Sequence, residues 1–210
     1  MRRTVRMIGR LLGRRTPRRR RTDLAPGAQP YIGPRTPRRR KSDRNPHTTP
    51  RSVARELAIN VGEAALDPRT LETLGGIARS WKSREAGLKD ELFCLDAFSV
   101  EFAIERVAMP DGLRKELIKE YREKLADLGT DLEVYLLRAR AYAARLAENR
   151  RLAQSGVVRG ISVTVGDEFN EALGTDNAFL SDAVGRRFID RTEGIREYIE
   201  TCVREILTRR

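Results

Sequence analysis

The fold turns on the stretch from Leu88 to Val107, LKDELFCLDAFSVEFAIERV. Leu88, Leu92, Leu95 and Phe102 form one row at helical spacing, and Phe93, Val100, Ile104 and Val107 form a second row beside it. Two adjoining rows give an apolar face wider than a surface helix needs. The stretch therefore predicts a long helix, beginning after Ser83, around which the rest of the chain packs. Pro110-Asp111-Gly112 supplies the turn that follows it. Three acids, Asp96, Glu101 and Glu105, interrupt this helix. Asp96 stands between Leu95 and Ala97, and two readings fit it. One is an acid on the exposed edge or paired with an arginine; the other is a buried carboxylate with a raised pKa.

Helical spacing continues on both sides. Thr49-Pro50 is a helix start, with Thr49 as N-cap and Pro50 in the first turn. Val53, Leu57, Val61 and Ala64 follow, and Asp67-Pro68 ends that helix and opens the next. Leu71, Leu74, Ala78 and Trp81 mark the second face, with Gly75-Gly76 as a point where it can break. Beyond the central stretch, Leu113, Leu117, Tyr121, Leu125 and Leu128 define an amphipathic helix that Gly129 closes. Thr130 through Glu133 reads as a capping box. It precedes a seam of Leu132, Leu136, Ala139, Ala143 and Leu146, whose alanines allow close approach inside the bundle or between protomers. Residues 156–174 fit both periods: Ile161, Val163 and Val165 alternate, while Val157, Ile161, Val165, Phe169 and Leu173 recur every four. A lone strand would have no partner, so the segment is read as helix. Asp176 is placed as the cap of a helix carrying Leu180, Val184 and Phe188. Thr192 is placed as the cap of a last helix carrying Ile195, Ile199, Cys202 and Ile206. The expectation is an all-α fold: an irregular multi-helix bundle of six to eight helices over residues 51–210, preceded by a largely disordered basic tail.

The tail, residues 1–50, is set apart by charge. The chain of 210 residues carries a net charge of +12. Residues 1–50 hold 16 Lys or Arg against Asp23 and Asp43, a net of +14, so residues 51–210 carry −2. Seven of the nine prolines also fall in the tail. Such a segment buries too little to offset its ordering entropy. Thr16-Pro17-Arg18-Arg19-Arg20-Arg21-Thr22-Asp23 returns as Thr36-Pro37-Arg38-Arg39-Arg40-Lys41-Ser42-Asp43. Over those few residues the pattern resembles the Ser/Thr-Pro-basic-basic repeats of linker-histone tails, which implies nucleic-acid contact. The candidate polyanion-binding residues are Arg14, Arg15, Arg18, Arg19, Arg20, Arg21, Arg38, Arg39, Arg40 and Lys41, which would act by releasing counterions from phosphates. At the extreme N-terminus, Val5, Met7, Ile8, Leu11 and Leu12 fall on one side of a short helix over 3–13, and Arg2, Arg3, Arg6, Arg10 and Arg14 on the other. A segment of that kind suits an anionic membrane surface or an organelle-targeting signal.

Several chemistries are disfavoured by residue count. The single histidine, His47, lies in the tail, so the body holds no Ser-His or Cys-His pair, and a zinc or di-iron site lacks its ligands. Cys94 and Cys202 read as small buried hydrophobes in a cytoplasmic or other reducing compartment. No glycine-rich phosphate loop is present, and no run of about 18 apolar residues spans a membrane. A helix-turn-helix over 176–206 is disfavoured by Glu193, Glu197, Glu200 and Glu205 on its second helix. The run Arg138, Arg140, Arg145, Arg150 and Arg151 reads as a solvated face. No catalytic, cofactor-binding or metal-ligating residue is assigned and no cofactor is expected. The expected function is a non-enzymatic interaction or adaptor domain that takes a protein partner or forms a homo-oligomer, with a polycationic tail for nucleic acid or another polyanion. The alternatives are a peripheral membrane or organelle-targeted protein led by residues 1–14, and a body whose tail is inert or arises from a misplaced start.

Overall fold

A computed structural model describes residues 48–80, 87–156 and 159–208, for Arg79 and Ser80 the backbone alone. Among these residues there are seven helices and no strand: α1 (Pro50–Ala65), α2 (Pro68–Ser80), α3 (Leu88–Arg106), α4 (Asp111–Asp127), α5 (Leu132–Gln154), α6 (Ile161–Ala172) and α7 (Ala178–Leu207). The all-α bundle expected from the apolar spacing is thus observed. The tail candidates from Arg14 to Lys41, the helix read over 3–13, His47 and Trp81 lie outside the described residues.

Local chemistry sets the helix ends. Thr49 and Ser52 form a reciprocal capping box on α1: Ser52 N–H donates to Thr49 Oγ1 at 3.1 Å, and Thr49 N–H donates to Ser52 Oγ at 2.9 Å. Asp67 caps α2, accepting from Thr70 N–H at 3.0 Å and from the Thr70 hydroxyl at 2.8 Å. Helix α2 runs unbroken through Gly75-Gly76, the point where it could have broken.

As its sequence requires, α3 is central. Fourteen of its 19 residues are buried, and α1, α4, α5 and α7 all pack on it. Leu92, Leu95 and Ile104 have no exposed surface, and burial of each stabilises the fold by about 1.5–3 kcal/mol. Phe98 stacks on Tyr142 of α5 with ring centroids 5.4 Å apart and on Phe188 of α7 at 5.9 Å. Phe102 meets Phe188 at 5.2 Å. One aromatic cluster therefore joins three helices.

Three expectations need correction. First, the capping box read at Thr130 is not formed. Asp131 caps α5, its carboxylate accepting from the N–H groups of Glu133 and Val134. Second, the inward seam of α5 is Tyr135, Ala139, Tyr142 and Leu146. Leu132 and Leu136 are half-buried and Ala143 is exposed. The helix is rotated relative to the expected seam because the two tyrosines bury more apolar surface inward than Leu132 and Ala143 would. Third, residues 178–207 form one helix, not two. Its cap is Asn177, whose Oδ1 accepts from Phe179 N–H and Leu180 N–H at 3.1 Å each, not Asp176. Thr192 is 2% exposed in the middle of α7, where packing overrides its capping tendency. With no turn there, the helix-turn-helix geometry does not exist.

The tightest helix contact is between α6 and α7. Gly166 lies so close to Ser181 that a Cβ on it would fall 2.1 Å from the Ser181 carbonyl oxygen. Gly185 meets Ser162 in the same way, with a Cβ falling 2.1 Å from the Ser162 carbonyl oxygen. The two glycines let the backbones touch where any side chain would hold them apart.

Candidate functional site

The charged chemistry of the body is organised by α3. Glu91, Asp96 and Glu101 are only 8%, 1% and 9% exposed. A step of five residues turns a helix by about 140°, so the three carboxylates leave α3 in three different directions. Each meets an arginine from a different helix. Glu101 takes Arg122 of α4 in a two-pronged pair, Nε at 2.7 Å and Nη2 at 2.6 Å. Asp96 takes Arg187 of α7 likewise, Nη2 at 2.6 Å and Nε at 3.2 Å, with Arg191 Nε at ion-pair distance, 3.1 Å. Arg187 reaches further, donating to the Ala64 carbonyl at 3.1 Å and the Thr70 hydroxyl at 3.3 Å. One guanidinium thus ties α7 to α3, the end of α1 and the start of α2. Of the two readings of Asp96, the pairing with arginine holds, and its position is buried rather than at an exposed edge.

The third pair opens onto a concave part of the described surface. Glu91 accepts from Arg138 Nε at 2.9 Å and Nη2 at 2.8 Å, and from the Tyr142 hydroxyl. Arg138 Nη1 lies 3.3 Å from Glu168 of α6, whose other oxygen is 3.6 Å from Arg145. Arg145 also pairs with Glu171. Glu91, Arg138 and Glu171 of this chain line an open cleft of about 380 Å³, together with Gly87, Cys94, Leu173 and Gly174 among others. Gly87 and Gly174 shape its rims with φ of 92° and 62°, a backbone region in which other residues are strained.

The protonation chemistry of the cleft and of the groups behind it follows from burial. Burial pushes the Cys94 thiol up to about 12, and the Glu91 charge adds to the effect. The thiol is therefore protonated at neutral pH and a poor nucleophile. Burial also raises the Tyr142 hydroxyl well above its ordinary value, again with the Glu91 charge adding. It raises the Glu168 carboxyl too, against the pull of Arg138. Burial works to lower Arg138, but its hydrogen bonds to Glu91 and the attraction of that carboxylate outweigh this and raise it. Glu91, Arg138, Tyr142 and Glu168 are thus engaged with one another. Cys94 and Cys202 are both buried and do not form a disulfide.

The basic run read as one solvated face divides in two. Arg138 and Arg145 are turned to the acids of α3 and α6, while Arg140, Arg150 and Arg151 are exposed. Tyr121, Tyr135 and Tyr142 are core residues. Among the described residues, no three His, Cys, Asp or Glu side chains group as they would to hold a metal ion. None of their helices is long and apolar enough to cross a membrane. Glu91, Arg122, Glu168, Arg187 and Arg191 were not singled out by motif. For Glu91 the signal was the five-residue recurrence of acids inside the apolar run of α3; its pattern carries no signal for the residues on other helices. No protein-family model, curated protein or solved structure matches the chain.

Proposed function

We propose that the chain is a non-enzymatic interaction protein. Its helical body docks a protein partner or a second copy, and Arg14 to Arg21 and Arg38 to Lys41 hold it on nucleic acid or another polyanion. The observation that carries this reading is the separation of charge, +14 over residues 1–50 against −2 over residues 51–210. Polyanion affinity that rests on counterion release belongs where unbalanced arginine is concentrated. In the body, the most buried carboxylates and the arginines that face them neutralise one another, which leaves little excess charge for phosphate. On this reading the chain works in a reducing compartment, where Cys94 and Cys202 stay thiols.

The test compares the full chain with residues 51–210 for binding to a labelled duplex across a salt series. If the tail neutralises about six phosphates, full-chain affinity should fall roughly 10³-fold between ~50 and ~200 mM salt. Residues 51–210 should bind negligibly at either salt. Equal binding by the two chains would remove the tail from the account. Loss of vesicle binding on deleting residues 1–14, with duplex binding intact, would favour the membrane reading, which rests on the amphipathic spacing of Val5, Ile8 and Leu12.

A further inference from the structure

The outward face of α5 has a pattern that its place in the bundle does not explain. The inward seam of Tyr135, Ala139, Tyr142 and Leu146 is buried. Nearly opposite it, Glu133, Leu137, Arg140, Ala144, Ala147 and Arg151 follow one another at spacings of four, three, four, three and four, and all six are exposed. Leu137 is 65% exposed and Val134 beside it 52%, on a helix whose polar residues could have covered both. The charges on the two sides also differ. Arg138, Arg145 and Glu148 are paired within the chain. Glu133, Arg140 and Arg151, on the outer stripe, have no ion-pair partner among the described residues.

We propose that this stripe docks the same stripe of a second copy, antiparallel, about a two-fold axis that crosses the outer face of α5 between Arg140 and Ala144, at the level of residue 142. The register follows from the residues. Centring the axis there sets Glu133 opposite Arg151 of the second copy, Leu137 opposite its Ala147, and Arg140 opposite its Ala144, and the symmetry makes each contact twice. Both ends of the stripe then carry an opposite-charge pair, and each leucine meets a small residue. The long stem of Arg140 lies over an alanine and its head reaches solvent. Exposed Ala143, Ala144 and Ala147 let the two helices approach closely over the roughly 27 Å from Glu133 to Arg151. A parallel pairing would set Glu133 against Glu133 and Arg151 against Arg151, so charge selects the antiparallel one. A polyanion is a poorer occupant, since Glu133 repels phosphate and Leu137 gains nothing from it. This inference rests on the interaction half of the proposed function and names the partner.

The experiment is the solution mass of the full chain, freed of nucleic acid, by light scattering over a concentration series. The wild type should form a dimer of twice 23.9 kDa. Glu133→Arg sets like charges together at both ends and should weaken the dimer about tenfold, a change of ~1.4 kcal/mol. Arg151→Glu should do the same, and the double variant Glu133→Arg with Arg151→Glu should recover wild-type affinity. Leu137→Glu should leave a monomer. All three positions are exposed, so far-UV circular dichroism should be unchanged. A wild type that is monomeric throughout the series overturns the inference, as does a dimer indifferent to Glu133→Arg, or a double variant no tighter than the singles. Any of these results leaves the tail's salt-dependent duplex binding where it stood, because that assay does not read dimerisation.

Discussion

Replacing Asp96 with alanine is expected to remove about 3–5 kcal/mol of folding stability, because it strands two arginines beside a carboxylate that is no longer there. Asp96 is 1% exposed and holds Arg187 in a two-pronged pair, with Arg191 alongside. Arg187 in turn holds the Ala64 carbonyl and the Thr70 hydroxyl, so the loss should loosen α1 and α2 as well as α7. A domain of this size has about 5–15 kcal/mol in all, so the variant should unfold at a much lower urea concentration. Arg191→Met removes the outer partner and keeps the two-pronged pair, and its cost should be clearly smaller. An Asp96→Ala midpoint within error of wild type would show that the pair contributes nothing.

The second large effect is expected at the α6–α7 crossing. Gly185→Ala places a Cβ 2.1 Å from the Ser162 carbonyl oxygen, and Gly166→Ala places one 2.1 Å from the Ser181 carbonyl oxygen. Both obstacles are backbone, so relief requires the helices to separate rather than a side chain to turn. Overpacking of this kind costs about 1–3 kcal/mol and sometimes more, and two backbones in contact put these sites at the upper end. Gly76 and Gly194 have open space where a Cβ would go. Alanine at either helical site should be neutral or stabilising by up to ~1 kcal/mol. Thermal melts of the four single variants would show the contrast. A Gly185→Ala protein that melts with Gly194→Ala would mean that α6 and α7 are not in backbone contact.

The parts of the fold that were legible in the sequence are those decided by local chemistry. The double apolar row of Leu88 to Val107 specified a helix buried on most sides. The Thr49-Pro50 cap and the Asp67-Pro68 junction fell where side-chain and backbone bonding place them. The failures came where tertiary packing decided between local signals. Thr192 has the chemistry of a cap but lies inside a continuous α7, enclosed by neighbouring helices. Leu132 and Ala143 fit a heptad as well as Tyr135 and Tyr142 do, and only burial of the aromatic rings chooses between them. The three-way arginine clamp on α3 was largely hidden. Periodicity counts Glu91 and Glu101 as surface, and their partners lie 47 and 21 positions away. Glu101 is visible only as an acid that interrupts the helix, and Asp96 stands out further because it breaks an apolar run on both sides.

The buried charge of the body holds its helices together, each α3 carboxylate gripping an arginine of another helix. Glu91 is the sharpest place to test it, since it is both one arm of the α3 clamp and a wall of the cleft. The measurement is the unfolding free energy of Glu91→Gln, which keeps the side chain's size and removes its charge. A loss of about 1.5–3 kcal/mol is expected, the worth of hydrogen bonds to a charged partner. A gain in stability would contradict it, because a group that destabilises the fold where it stands is the mark of a residue retained for binding or chemistry.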